Sequence, residues 1–220
     1  MGRIALIALA VALLVGSAAA FTRSERLKLA ASPVGKPKFD RRLSPACGCA
    51  HAASSLSFLL RRPERLDVSV VDSDGGHVAT LADAQESEAG TVSFEWDGRD
   101  DKGQVAPDGR YRLKVRLERD RRTILIPKTI LVDTAPPQVG IVEAVTTEDG
   151  VLVRYRTDEA VRVRVLLDDE KIASDSRLKP GVGRVTWEPA GTPPASGVTF
   201  VAVDRSGNRT EPLPVSIATP

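Results

Sequence analysis

Residues 92–117 read Val92-Ser93-Phe94-Glu95-Trp96-Asp97-Gly98-Arg99-Asp100-Asp101-Lys102-Gly103-Gln104-Val105-Ala106-Pro107-Asp108-Gly109-Arg110-Tyr111-Arg112-Leu113-Lys114-Val115-Arg116-Leu117. Val92, Phe94 and Trp96 alternate with Ser93 and Glu95. Tyr111, Leu113, Val115 and Leu117 alternate with Arg112, Lys114 and Arg116. A period of two puts one set of side chains on a core and the other in water, the mark of a half-buried strand. Between the two runs stand Asp97-Gly98, Lys102-Gly103 and Pro107-Asp108-Gly109, residues that turn a chain rather than extend it. The stretch predicts two strands joined by a tight loop, with Trp96 and Tyr111 as core anchors.

The pattern extends outward in both directions. Leu66, Val68 and Val70 alternate with Asp67 and Ser69, followed by the turn signal Asp72-Ser73-Asp74-Gly75-Gly76. Beyond Asp133-Thr134-Ala135-Pro136-Pro137, whose prolines cannot donate to a ladder, alternation resumes at Val151 and Val153 and again at Val161, Val163 and Val165. Val185-Thr186-Trp187, a Pro/Gly turn and Val198–Val203 repeat the order of the first half, with Trp187 as the expected anchor of a second core. No convincing helical stripe follows residue 55. The expected fold is all-β: two tandem domains, 54–134 and 135–220, duplicated units of the β-sandwich type.

Ahead of them, Arg3 precedes an uncharged run from Ile4 to Phe21 that ends in small residues around Ala18-Ala19-Ala20. Residues 1–21 read as a secretory signal peptide or an uncleaved membrane-anchor helix, because the run reaches the lower limit for spanning a bilayer. Either way the rest of the chain is expected outside the cytoplasm, in the cell envelope. Residues 22–53, with Pro33, Pro37 and Pro45 among scattered charges, read as a stalk or linker containing Cys47-Gly48-Cys49.

Composition narrows the function. The 220 residues carry 31 Lys+Arg against 29 Asp+Glu, so there is no electrostatic case for a nucleic-acid partner. Two His and two Cys leave few ligands for metal chemistry and almost nothing for His-based acid–base catalysis. No Gly-x-Ser-x-Gly exists and no His lies beyond residue 77, against a Ser–His hydrolase. Three features still carry chemistry. Cys47 and Cys49 are a candidate disulfide, with redox activity or a soft-metal site alongside His51 as the other readings. Asp97, Asp100, Asp101 and Asp108 could hold a hard cation, but Asp and Gly at these places also serve turn geometry. Arg119-Asp120-Arg121-Arg122 reads as a charged hairpin tip, and Arg61-Arg62 with Glu64-Arg65 as a solvated run.

The tract Trp96–Tyr111, with its acidic-glycine turn and its Pro-x-Gly-x-Tyr opening of the next strand, closely resembles the Ig-like domain of the flagellar hook-capping protein FlgD. Leu131–Pro137 is similar to the junction that precedes bacterial Ig-like repeats, and Val203–Arg209 to their last hairpin. The resemblance covers about residues 55–218 and implies two tandem Ig-like β-sandwich domains with a non-catalytic scaffold or binding role, without a transferable active site. The expected protein is therefore not an enzyme and uses no cofactor. Its expected partners are envelope proteins or surface polymers, with the membrane added if the N-terminal helix is uncleaved. A hook-cap-like assembly scaffold is the alternative within the class. A thiol-redox or metal protein using Cys47 and Cys49 is the alternative outside it.

Overall fold

The computed structural model describes residues 32–177, 179–189, 191 and 196–218, together with Gly2, Leu13, Leu14, Gly16 and Ser17. The expected signal or anchor at 1–21 therefore lies almost entirely outside the described residues. Among those described, no helix is long and apolar enough to cross a membrane.

The alternating runs become strands. In chain order they are β1 (Val34–Phe39), β2 (Arg42–Leu43), β3 (Ser54–Leu60), β4 (Glu64–Val71), β5 (His77–Ser87), β6 (Gly90–Trp96), β7 (Gly109–Leu117) and β8 (Arg122–Val132). One sheet has the order β1-β3-β6 and the other β2-β8-β7-β4-β5. Their inner faces meet in one core, to which β3 gives Leu56, Phe58 and Leu60. Leu66, Val68 and Val70 come from β4, and Leu113, Val115 and Leu117 from β7. Arg112, Lys114 and Arg116 face outward, as the period of two requires.

The second half repeats this plan with β9 (Val139–Thr147), β10 (Gly150–Thr157), β11 (Val161–Leu167), β12 (Glu170–Arg177), β13 (Gly181–Trp187), β14 (Val198–Val203) and β15 (Leu213–Pro214). The orders are β9-β10-β13 and β12-β11-β14-β15. Strand for strand they match β1-β3-β6 and β5-β4-β7-β8. A separate core of Val153, Tyr155, Val161, Val163, Val165, Phe200 and Ala202 fills the space between these sheets.

That correspondence corrects one expectation. Residues 34–43 are not stalk: β1 pairs antiparallel with β3, and β2 pairs parallel with the end of β8, Leu43 opposite Val132. Val34 and Leu43 are both buried in the first core. Pro37 suggested a linker because it lacks a donor. Here it sits where the β1–β3 register slips, between Gly35 and Lys38, on a strand at the edge of its sheet, where a missing N–H breaks no second ladder.

A second correction concerns the anchors. Trp96 and Tyr111 are buried, 2% and 4% exposed, with ring centroids 5.1 Å apart and planes at 61°. Trp187, in contrast, is half-buried at the margin of its core, and Tyr155 takes the central place, fully buried against Phe200. Tyr155 stands opposite Gly183 in the β10–β13 ladder, and a Cβ at Gly183 would collide with its ring. The glycine leaves the space that the tyrosine fills.

Candidate functional site at the junction of the two sandwiches

The acidic loop holds itself together. Asp97 Oδ1 accepts the Arg99 N–H at 3.0 Å, and Asp100 Oδ1 accepts those of Lys102 and Gln104 at 2.9 and 2.8 Å. Asp101 accepts the Thr80 N–H at 2.7 Å and lies 2.7 Å from His77 Nε2, and that hydrogen bond, the largest influence, lowers its pKa. Asp108 Oδ1 accepts from both the N–H and the hydroxyl of Thr134 at 2.9 Å. Each carboxylate closes a turn or ties the loop to a neighbouring segment, and the four do not converge on one point. Trp96 Nε1 donates to Arg99 O at 2.8 Å and the Tyr111 hydroxyl to Pro107 O at 2.5 Å, so both ends of the loop are pinned by the aromatic pair.

The two basic runs are also engaged. Arg62 meets Asp120 in a forked pair at 2.9 and 3.1 Å, and Arg119 meets Glu86 at 2.6 Å. Glu64, 4% exposed, accepts the backbone N–H groups of Arg65, Arg119 and Asp120 under the β7–β8 turn.

Cys47 and Cys49 are joined in a disulfide. The loop that carries them is compact: Ser44 N–H donates to His51 O at 2.8 Å, Cys47 N–H to Ser44 O at 3.1 Å, and Ala52 N–H to Cys49 O at 3.0 Å. With the sulfurs bonded to each other, neither is a thiolate for a metal, and His51 is exposed beside them. The loop faces the last hairpin of the second sandwich. Gly207, at φ +93, lies under the disulfide, and a Cβ there would collide with Cys49 Sγ.

Around that contact runs a polar network that sequence reasoning did not find. Ser44 donates to Asn208 Oδ1. Asn208 Nδ2 donates to Asp133 O and Asp204 Oδ2, each at 2.8 Å, and Ser206 Oγ donates to Asp133 Oδ2 at 2.9 Å. Asp204 Oδ1 accepts the N–H groups of Ser206 and Asn208 at 2.7 and 2.9 Å, an arrangement that builds the hairpin turn. Ser44, Asp204, Ser206 and Asn208 are all buried. The signal was present in Asp204-Arg205-Ser206-Gly207-Asn208, whose Asx-type turn chemistry is local. Its partners, Ser44 and Asp133, are far away in sequence.

Glu159 completes this cluster. Its carboxylate and those of Asp133 and Asp204 offer oxygens within 4.8 Å of one another, the one such trio among the described residues. Burial, followed by the charges of Asp204, Asp133 and Asp158, raises the pKa of Glu159, while Arg42 opposes the rise. A raised carboxyl pKa means the folded state binds the proton more tightly than the unfolded chain. Its stabilising contribution is thus complete below the ordinary Glu pKa and lost as pH rises through the raised one. Glu159→Gln, which mimics the protonated form, is expected to raise the melting temperature at pH 7 and to give no gain in acid. Calorimetry at both pH values checks this, and an equal gain at both would refute it.

Residues 50–120 match the FlgD Ig-like domain family. No curated protein sequence matches the chain. Among solved structures, the chain is similar to FlgD from P. aeruginosa, at 20% identity over 56% of this chain and 88% of that one, with a TM-score of 0.33. It is similar to truncated FlgD from Helicobacter pylori at 12% identity over 72% and 94%, TM-score 0.30. A third is the E. coli chaperone DraB, at 12% over 84% and 97%, TM-score 0.31. The aromatic pair, the self-closed acidic loop and strands β3 to β7 lie within the matched residues, so it is the first sandwich that is similar to the FlgD Ig-like domain.

Proposed function

We propose that this chain is a non-enzymatic binding and structural protein of the cell envelope. In this reading its two Ig-like units, about 34–134 and 135–220, stand outside the cytoplasmic membrane behind an N-terminal signal or anchor. The observation that carries it is the match of residues 50–120 to the FlgD Ig-like domain family, over a stretch whose acidic side chains are spent on holding the loop. Sandwiches of this kind offer strand edges and loop ends to other proteins. The buried network at Ser44, Asp133 and Asn208 supports a role in which two surfaces keep a set orientation. Assembly with other envelope proteins follows from this reading, as for a hook-cap-like scaffold.

Chemical cross-linking of the tagged full chain in a native envelope fraction tests it, with intact mass reporting whether the signal is cut. Defined cross-linked complexes are expected, and a chain that stays wholly uncross-linked would overturn the proposal. The disulfide supplies the competing thiol reading with its own test. Cys47→Ser/Cys49→Ser is expected to leave the same complexes in place while loosening the loop against Gly207. Complete loss of the complexes in a variant that still melts cooperatively would favour the thiol reading instead.

A further inference from the structure

Where the disulfide loop meets the second sandwich there is an open groove, and its lining is unusual for this chain. It includes Arg162, Arg164, Arg177, Arg205 and Arg209, together with His51 of the disulfide loop. Residues 135–220 hold ten Lys+Arg against twelve Asp+Glu, so half of that region's cations converge on one groove in a unit of slightly acidic balance. Asp204, the one acid among the described lining residues, is 8% exposed and its oxygens are already taken by Ser206 and Asn208. Arg162, Arg164 and Arg209 are exposed, and none makes an ion pair with a described residue, in contrast to Arg62 and Arg119 on the first sandwich. The cross-strand neighbours of Arg162 are Ser176 and Val203, and those of Arg164 are Ser174 and Val201, a neutral floor of short side chains.

We infer that this groove docks an extended acidic segment of a partner protein, with carboxylates at alternate positions lying over Arg162 and Arg164. The inference rests on the binding role proposed above and names the chemistry of its partner. Guanidinium forks match carboxylates in bidentate pairs. Arg162 and Arg164 are two residues apart on one strand and so stand about 6.5–7 Å apart, the distance between alternate side chains of any extended peptide. A peptide in strand conformation meets both in register. Among the described residues no Trp, Tyr or Phe lines the groove, so these residues offer no stacking platform of the kind nucleic-acid bases or sugar rings use.

The test is fluorescence anisotropy of the full chain in detergent with a labelled peptide of alternating glutamate and threonine. Saturable binding that weakens with salt is expected. Arg162→Glu/Arg164→Glu should weaken it at least about tenfold, whereas Arg121→Glu/Arg122→Glu on the other sandwich should leave it within about twofold. All four side chains are exposed, and unchanged melting curves would verify folding. A peptide of the same composition with its glutamates in one block should bind more weakly. The inference falls if both double variants bind alike, if the blocked peptide binds as well, or if polygalacturonate or inorganic phosphate displaces the peptide at a lower concentration than unlabelled peptide does. Envelope complexes that persist in Arg162→Glu/Arg164→Glu would remove the groove while sparing the binding role. No complex with the unaltered chain would remove both.

Discussion

Trp96→Ala is expected to destabilise the first sandwich by about 3–5 kcal/mol, the usual cost of truncating a large buried aromatic. The indole fills the space between the two sheets, edge-on to Tyr111, and its Nε1 holds the Arg99 carbonyl. Its loss leaves a cavity and an unbonded loop carbonyl together. Chemical denaturation provides the measurement, since such a loss moves the urea midpoint by more than about 1 M at ordinary m-values. Far-UV circular dichroism would follow both sandwiches, while the remaining Trp187 reports the second alone. A midpoint shift seen equally in Trp187 fluorescence would mean that the two cores unfold as one unit. A change below about 1 kcal/mol would refute the assignment of Trp96 as an anchor.

Tyr155→Ala is the counterpart in the second sandwich, at about 3–5 kcal/mol. The ring is wholly buried, 5.1 Å from Phe200 and laid across Gly183. Its hydroxyl donates to Asp175 Oδ2 at 2.7 Å, and burial, reinforced by that carboxylate, pushes the phenol well above its ordinary pKa. Tyr155→Phe keeps the ring and removes the hydrogen bond, so it should cost only about 1 kcal/mol, because the half-buried Asp175 can turn to water. Trp187→Ala should cost clearly less than Tyr155→Ala, since the indole is only partly covered. The reverse order in a denaturation series would overturn the placement of the second core.

These two residues also mark how far sequence alone reaches. Trp96 and Tyr111 were legible because the loop between them is short and its Asp, Gly and Pro residues act on their immediate neighbours. Tyr155 was missed although it continues the alternation Val151, Val153, because what seats it is Gly183, a residue met only when β10 and β13 pair. The same cause hid β1 and β2. Pro33, Pro37 and Pro45 are local signals of an extended chain, whereas the pairing of Leu43 with Val132 is made at long range. The candidate site was least legible of all. Cys47 and Cys49 were visible as a pair, but Gly207, Asn208 and the groove arginines acquire meaning only when the second sandwich is placed against the first.

The two sandwiches are joined by chain at Thr134–Gln138, and a single covalent link is a swivel. Ser44 and the disulfide loop add a second attachment on Asn208 and Gly207, offset from the first. Two offset attachments resist torque, so a load applied at one end of this protein would reach the other as through a bar, and would not be lost in bending between loosely strung beads.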